Sequence, residues 1–224
     1  MGDTVATVIR IAMLAFAALL PLINPPGLAP IFLSMTPGAS DPTRTTIARR
    51  IAQTSFVLLV GAMLVGSYVL IFFGLSLAVV KMAGGLLVIA SAWHLISAEQ
   101  TPDSTIATAS SMSAEHIATT SFYPLTFPLT IGPGAISVAV TLGAGIRDHD
   151  VPPLAAILGA MAGVVMVSAA IYLSFRFASR LIRVLGRTGT VVLLRLSAFI
   201  LLSIGVQILC DGLIERFGLL QASN

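Results

Sequence analysis

The sequence predicts an all-α membrane protein: six transmembrane helices as two inverted three-helix repeats, with helices 1 and 4 discontinuous. Three observations predict it. Of 224 residues, 57% are hydrophobic and only 9% charged, against about 25% charged in an ordinary soluble domain. Apolar runs recur at lengths near the ~20 residues that cross a bilayer as helix. Two of these runs are interrupted by similar Pro/Gly segments, about half a chain apart.

The mean hydropathy is +1.01. The 12 basic and 9 acidic residues cannot clothe a soluble domain of this size. A pI of about 9.6 would suggest nucleic acid in a soluble chain. Here the basic residues gather at the ends of apolar runs, which is the membrane pattern and argues against nucleic acid. The single cysteine, Cys210, excludes an internal disulfide and a cysteine-based metal cluster. It sits in an apolar run and reads as packing. Arg10 and the apolar stretch after it resemble a signal peptide, but the run continues past a Pro/Gly break with no convincing cleavage site.

The spans fall at 8–35, interrupted near Asn24, then 51–73, 77–96, 121–143, also interrupted, 154–175 and 191–209. The runs are too long, and alternate too little, for barrel strands. The chain divides into a first repeat at 1–97, a polar cytoplasmic linker at 98–120 rich in Ser, Thr and Ala, and a second repeat at 121–224. Orientation follows from the basic residues. Loop 1 holds Arg44, Arg49 and Arg50; loop 5 holds Arg176, Arg180, Arg183 and Arg187. The other side holds Arg10, Arg147, Arg216 and Lys81. Loops 1, 3 and 5 are therefore expected in the cytoplasm and both termini outside.

The interrupted spans read Pro-Leu-Ile-Asn-Pro-Pro-Gly-Leu-Ala-Pro at 21–30 and Pro-Leu-Thr-Ile-Gly-Pro-Gly-Ala-Ile-Ser at 128–137. Pro26-Gly27 matches Pro133-Gly134 at an offset of 107 residues, and Lys81 matches Arg195 at an offset of 114. Three spans per half is an odd number, so the second half enters the membrane from the opposite side. A helix that stops inside the membrane exposes unpaired N–H and C=O groups, which protein or cavity water must satisfy. Pro and Gly also merely kink membrane helices. Corresponding breaks in two halves, however, point to a transporter binding site.

Asn24 precedes a proline, which disfavours the helical region, and suits an N-cap; Pro25 suits the first helical position. Gly132 and Pro133 match these parts. Each half-helix would aim free N–H groups and its positive dipole end at a carboxylate. The expected partners of that carboxylate are the N–H groups of Gly27 and Leu28, or of Gly134 and Ala135. Asn24, with Thr130 or Gln207, would complete the site. Glycines 27, 132 and 134 would let a ligand approach the backbone. Gly134→Val is then expected to abolish binding and spare stability.

At these residues the chain resembles the MarC family of bacterial inner-membrane proteins. The resemblance spans essentially the whole chain. It is carried by the two interrupted segments and by Val-Gln-Ile-Leu-Cys-Asp-Gly-Leu at 206–213. The family's hallmark positions fall on Asn24, Pro25, Pro26, Gly27, Gly132, Pro133 and Gly134, with Gln207 and Asp211 in the last motif. Cys210 and Lys81 depart from its more apolar pattern. The resemblance implies an inner-membrane transporter of small neutral amino acids such as glycine and alanine.

The remaining polar residues divide between roles. Lys81 and Arg195 read as interface anchors whose stems snorkel, rather than coupling residues. Asp211 reads as a helix-end carboxylate, and Trp93 with His94 as an interface pair. Thr126, Thr130, Ser137 and Gln207 suit substrate hydrogen bonds and helix–helix or backbone bonds equally. No mid-span Asp or Glu supplies a proton relay. The histidines at 94, 116 and 149 lack zinc-site spacing, and no nucleophile–base pair is evident. No enzyme activity, metal or cofactor is expected. The expected partners are a neutral amino acid and the lipid bilayer, with homo-oligomerisation open. Secondary transport by alternating access leads; a channel for small neutral solutes and a non-transporting assembly or regulatory subunit stand as alternatives.

Overall fold

The computed structural model describes residues 2–97, 121–145 and 152–218. The 98–120 linker, with His116, and the connection containing Arg147 and His149 lie outside the described residues. Every regular element among the described residues is helical: α1 (Gly2–Ile23), α2 (Pro25–Ser34), α3 (Asp41–Phe72), α4 (Leu77–Ser97), α5 (Ser121–Thr130), α6 (Pro133–Gly145), α7 (Pro153–Arg176) and α8 (Ala178–Phe217). Five stretches are long and apolar enough to cross a membrane, and a sixth if α5 and α6, which meet at 70°, form one span.

Two helices extend well beyond their apolar runs. Ser40 caps α3: its hydroxyl accepts the Thr43 N–H at 3.3 Å, with Asp41 and Pro42 in the first turn. Arg44, Arg49 and Arg50 of the expected loop 1 are thus helical. Loop 5 is helical too, because α8 begins at Ala178 and breaks only at Gly186, where φ is 63° and ψ −174°. Hydropathy marks where a helix enters lipid; capping and glycine mark where it starts and bends.

The larger core joins α1, α2, α3, α5, α6, α7 and the first residue of α8, Ala178. Within it Phe32 and Phe175 stack in parallel with centroids 4.8 Å apart, tying α2 to α7. A smaller cluster joins Val88 and Ala92 of α4 to Leu201 of α8. Helices distant in sequence pack together: α1 on α7, α3 on α6 and α7, α4 on α8 and α6, and α2 on α8.

Glycines set these crossings, since small residues let membrane helices close. A Cβ on Gly163 would sit 2.8 Å from the Ala12 carbonyl oxygen, bringing α7 onto α1. One on Gly85 would sit 2.7 Å from the Leu209 backbone nitrogen, bringing α4 onto α8. The α4–α8 pair also carries an ion pair, Lys81 Nζ to Glu215 Oε2 at 2.6 Å. Lys81 therefore anchors to a neighbouring helix. Both side chains remain partly exposed, so Lys81→Met and Glu215→Gln should each cost less than about 1 kcal/mol. A double-mutant cycle by detergent melting measures the coupling, and salt should weaken it.

One expectation for α8 changes. Cys210 is exposed, not packed inside, because an apolar residue on a membrane helix faces lipid as readily as protein. Arg195 is also exposed.

Candidate functional site

The break between α1 and α2 is a single residue, Asn24, at φ 46° and ψ 57°, the one non-glycine residue with positive φ among those described. Proline after it disfavours the right-handed helical region, and Asn tolerates the left-handed one better than most residues. This differs from the extended conformation usual at an N-cap. The reason is that Asn24 serves two helix ends at once. Its N–H donates to Leu20 O at 2.8 Å and closes α1; its C=O accepts the Leu28 N–H at 3.1 Å and opens α2. Its side-chain Oδ1 accepts the Gly27 N–H at 3.2 Å.

These bonds revise the ligand contacts expected here. The Gly27 and Leu28 N–H groups are occupied by Asn24 itself. A Cβ on Gly27 would strike the Asn24 amide, so this glycine accommodates the cap and not a ligand. What remains for a ligand is the Asn24 Nδ2 amide, a donor with no acceptor among the described residues.

The second break is built differently. Tyr123 (φ −122°, ψ 127°) and Phe127 (φ −120°, ψ 128°) leave helical geometry inside α5, each because a proline follows. The turns widen: Thr126 Oγ1 donates to Ser121 O at 2.6 Å, Thr130 Oγ1 to Leu125 O at 2.7 Å, and Ile131 N to Thr126 O at 2.7 Å. Gly132 then opens α6, its C=O accepting the Ile136 N–H at 3.2 Å, and Pro133 takes the first helical position, where a missing N–H costs nothing. The next two N–H groups, of Gly134 and Ala135, find no acceptor among the described residues. Both residues are buried.

The two breaks meet at one cavity of about 430 Å³. Asn24 and Leu28 line it from the first half; Thr130, Gly132, Pro133, Gly134 and Ala135 line it from the second. Most of the remaining wall is aliphatic, as binding cavities generally are. Among the described residues, no carboxylate lines it. Its free donors, Asn24 Nδ2 and the N–H groups of Gly134 and Ala135, suit a carboxylate or carbonyl oxygen. The Thr130 hydroxyl has given its proton to Leu125 O but keeps lone pairs that accept from an ammonium or amide.

Of the expected site residues, Pro25, Pro26, Gly27 and Gln207 do not line the cavity. Pro25 and Gly27 are buried beside it and Pro26 is exposed. Gln207 is exposed on α8, and its Nε2 donates to Asp211 Oδ1 at 2.8 Å. Thr126 and Ser137 are spent on carbonyls, Ser137 on Val80 O of α4 at 3.0 Å. Gly134 does not make room for a ligand either: a Cβ there would collide with Val88 of α4. Gly134→Val therefore strains the α4–α6 packing and is no clean probe of binding.

The α4 wall was missed. Ser91 and His94 both line the cavity; Ser91 Oγ donates to Leu87 O at 2.8 Å. The signal was their spacing of three, which puts two polar side chains on one face of an apolar helix. Trp93 is 64% exposed; His94 is exposed too, and borders the cavity.

The MarC family model, described as an integral membrane protein family, matches residues 9–217. A UPF0056 membrane protein of Archaeoglobus fulgidus is 32% identical over 203 residues, covering 90% of this chain and 92% of its own. YvbG of Bacillus subtilis is 29% identical over 205 residues, covering 92% and 95%. YhcE of Escherichia coli is 29% identical over 198 residues, covering 88% and 89%. No solved structure matches. A match over nearly the full length, with apolar helices throughout, establishes that the chain belongs to the MarC family of integral membrane proteins.

Proposed function

We propose that the chain is a secondary transporter of small neutral amino acids, of the glycine and alanine kind, working by alternating access in the inner membrane. The observation that carries the reading is that both helix breaks open onto one cavity with unspent donors and, among the described residues, no carboxylate. The amino-acid carboxylate meets the N–H groups of Gly134 and Ala135 and the Asn24 amide. The ammonium meets acceptors such as the Thr130 hydroxyl. The cavity as a whole exceeds the volume of alanine, so preference for small side chains would come from the crowded wall at Val88 and Pro133.

In this reading, 1–97 and 121–224 are inverted repeats with discontinuous helices α1–α2 and α5–α6. What supports it is the packing. Exchanging the first span for the fourth, the second for the fifth and the third for the sixth turns the α1–α7 contact into α3–α5, α2–α7 into α3–α6, and α2–α8 into α4–α6. The α3–α7 and α4–α8 contacts map onto themselves. Rocking one half against the other then exposes the cavity to each side in turn. The arginines of α3, α7 and the start of α8 support a cytoplasmic assignment of that face, with both termini outside. The site binds and moves its solute without bond chemistry, metal or cofactor.

A melting-temperature panel of amino acids on purified protein tests the reading. Glycine or alanine should raise the melting temperature, and Thr130→Val should remove most of the shift while the unliganded protein melts within a few degrees of wild type. Stabilisation by no small amino acid would overturn it.

A further inference from the structure

We propose that a second site, the groove between α3 and α7, holds one anionic phospholipid. Its phosphate sits at the arginine end and an acyl chain lies along the apolar length. The groove encloses about 670 Å³ and is separate from the cavity between the breaks. Its α3 wall contains Arg49, Gln53, Phe56 and Val57; its α7 wall contains Val165, Ser168, Ala169 and Tyr172. Both sets recur at helical spacing, so each forms one continuous stripe.

The helices run in opposite directions. Arg44, near the start of α3, reaches Ser179 Oγ, just beyond the end of α7, at 3.5 Å. Arg49 is therefore level with Tyr172, and Val57 with Val165. The groove is cationic and polar at one end and apolar at the other, the polarity of a lipid molecule. At the polar end Arg176 Nη1 donates to the Tyr172 hydroxyl at 2.9 Å, bringing a second guanidinium to the Tyr172 end of the groove.

Two further observations favour an anionic occupant. The one ion pair among the described residues is Lys81–Glu215, on α4 and α8; no carboxylate there neutralises Arg49 or Arg176. Cations left uncompensated at a membrane surface recruit anionic headgroups. The Ser168 hydroxyl, one turn deeper than Tyr172, is buried without a partner. A serine on a helix ordinarily bonds the carbonyl one turn back. Turned toward the groove, it would donate that proton to an ester carbonyl at the same depth.

The test uses full-length protein in phosphatidylcholine vesicles. Val165→Trp with Trp93→Phe moves the single tryptophan of the chain into the groove. Brominated phosphatidylglycerol or brominated phosphatidylcholine is then titrated as quencher. Brominated phosphatidylglycerol should quench at mole fractions well over tenfold lower, at about fivefold per arginine. Arg49→Gln with Arg176→Gln should bring the preference near unity. Arg183→Gln, basic but outside the groove, should leave it intact. Equal quenching by both lipids, or a preference that survives the double substitution, overturns the proposal. So does a loss as large in Arg183→Gln, which would mean diffuse surface charge. Protection from both quenchers would assign the groove to a second copy of the chain and overturn it as well.

Discussion

Asn24→Ala is expected to destabilise the protein by about 2–3 kcal/mol, while Asn24→Gly costs only a few tenths. Alanine loses on two counts. It must adopt a left-handed conformation that costs an ordinary side chain about 1–2 kcal/mol, and it cannot accept the Gly27 N–H, a cap worth about 1 kcal/mol. Glycine gives up the cap acceptor but adopts the conformation freely. Thermal unfolding in detergent should rank wild type and Asn24→Gly close together and Asn24→Ala well below. Equal melting of the two variants would mean that the corner carries no conformational demand. Asn24→Gly is also the clean probe of the site. It keeps the fold and deletes the Nδ2 donor, so affinity for a carboxylate-bearing solute should fall at least about tenfold.

Gly143→Ala is expected to be the most damaging methyl that can be added to α6. Its Cβ would meet the backbone of Met63 on α3, and backbone cannot rotate aside as a side chain does. Overpacking of this kind costs about 1–3 kcal/mol. It would also push α6, and with it Gly134 and Ala135, away from the cavity, so ligand-induced stabilisation should drop together with the melting temperature. Gly61→Ala on α3 is the matched control: nothing lies within 4 Å of its Cβ, and alanine is the better helix former. It should melt at or above wild type. A comparable loss in both variants would show that the effect belongs to glycine chemistry in general and not to the α3–α6 crossing.

The spans were legible because hydropathy reports the medium a helix sits in. The breaks were legible because Pro25, Gly132 and Pro133 have few places in a helix, and Asn24 is a recognisable cap. What hydropathy could not report is which face of a membrane helix turns inward. In a soluble protein the polar face marks the outside; in lipid both faces are apolar. Hence Gln207 and Cys210, assigned inward, are exposed, and His94, read as an interface residue, is exposed but also borders the cavity. The glycines show the same limit. Sequence marks Gly27 and Gly134 as places where something comes close. Only the fold names the close neighbours, the Asn24 amide and Val88, and neither is a ligand. The helical starts of α3 and α8 were hidden for another reason. Ser40 and Gly186 act through local geometry, which a window average blurs.

Both helix breaks are held to open onto one solute site that faces the two sides of the membrane alternately. The measurement that meets this most directly is counterflow in proteoliposomes. Vesicles preloaded with unlabelled alanine should take up external labelled alanine faster than empty vesicles, transiently above equilibrium, and Asn24→Gly vesicles should do so only at higher alanine concentration. Uptake with no acceleration by preloading would make the cavity a channel, and the absence of uptake would remove amino-acid transport altogether.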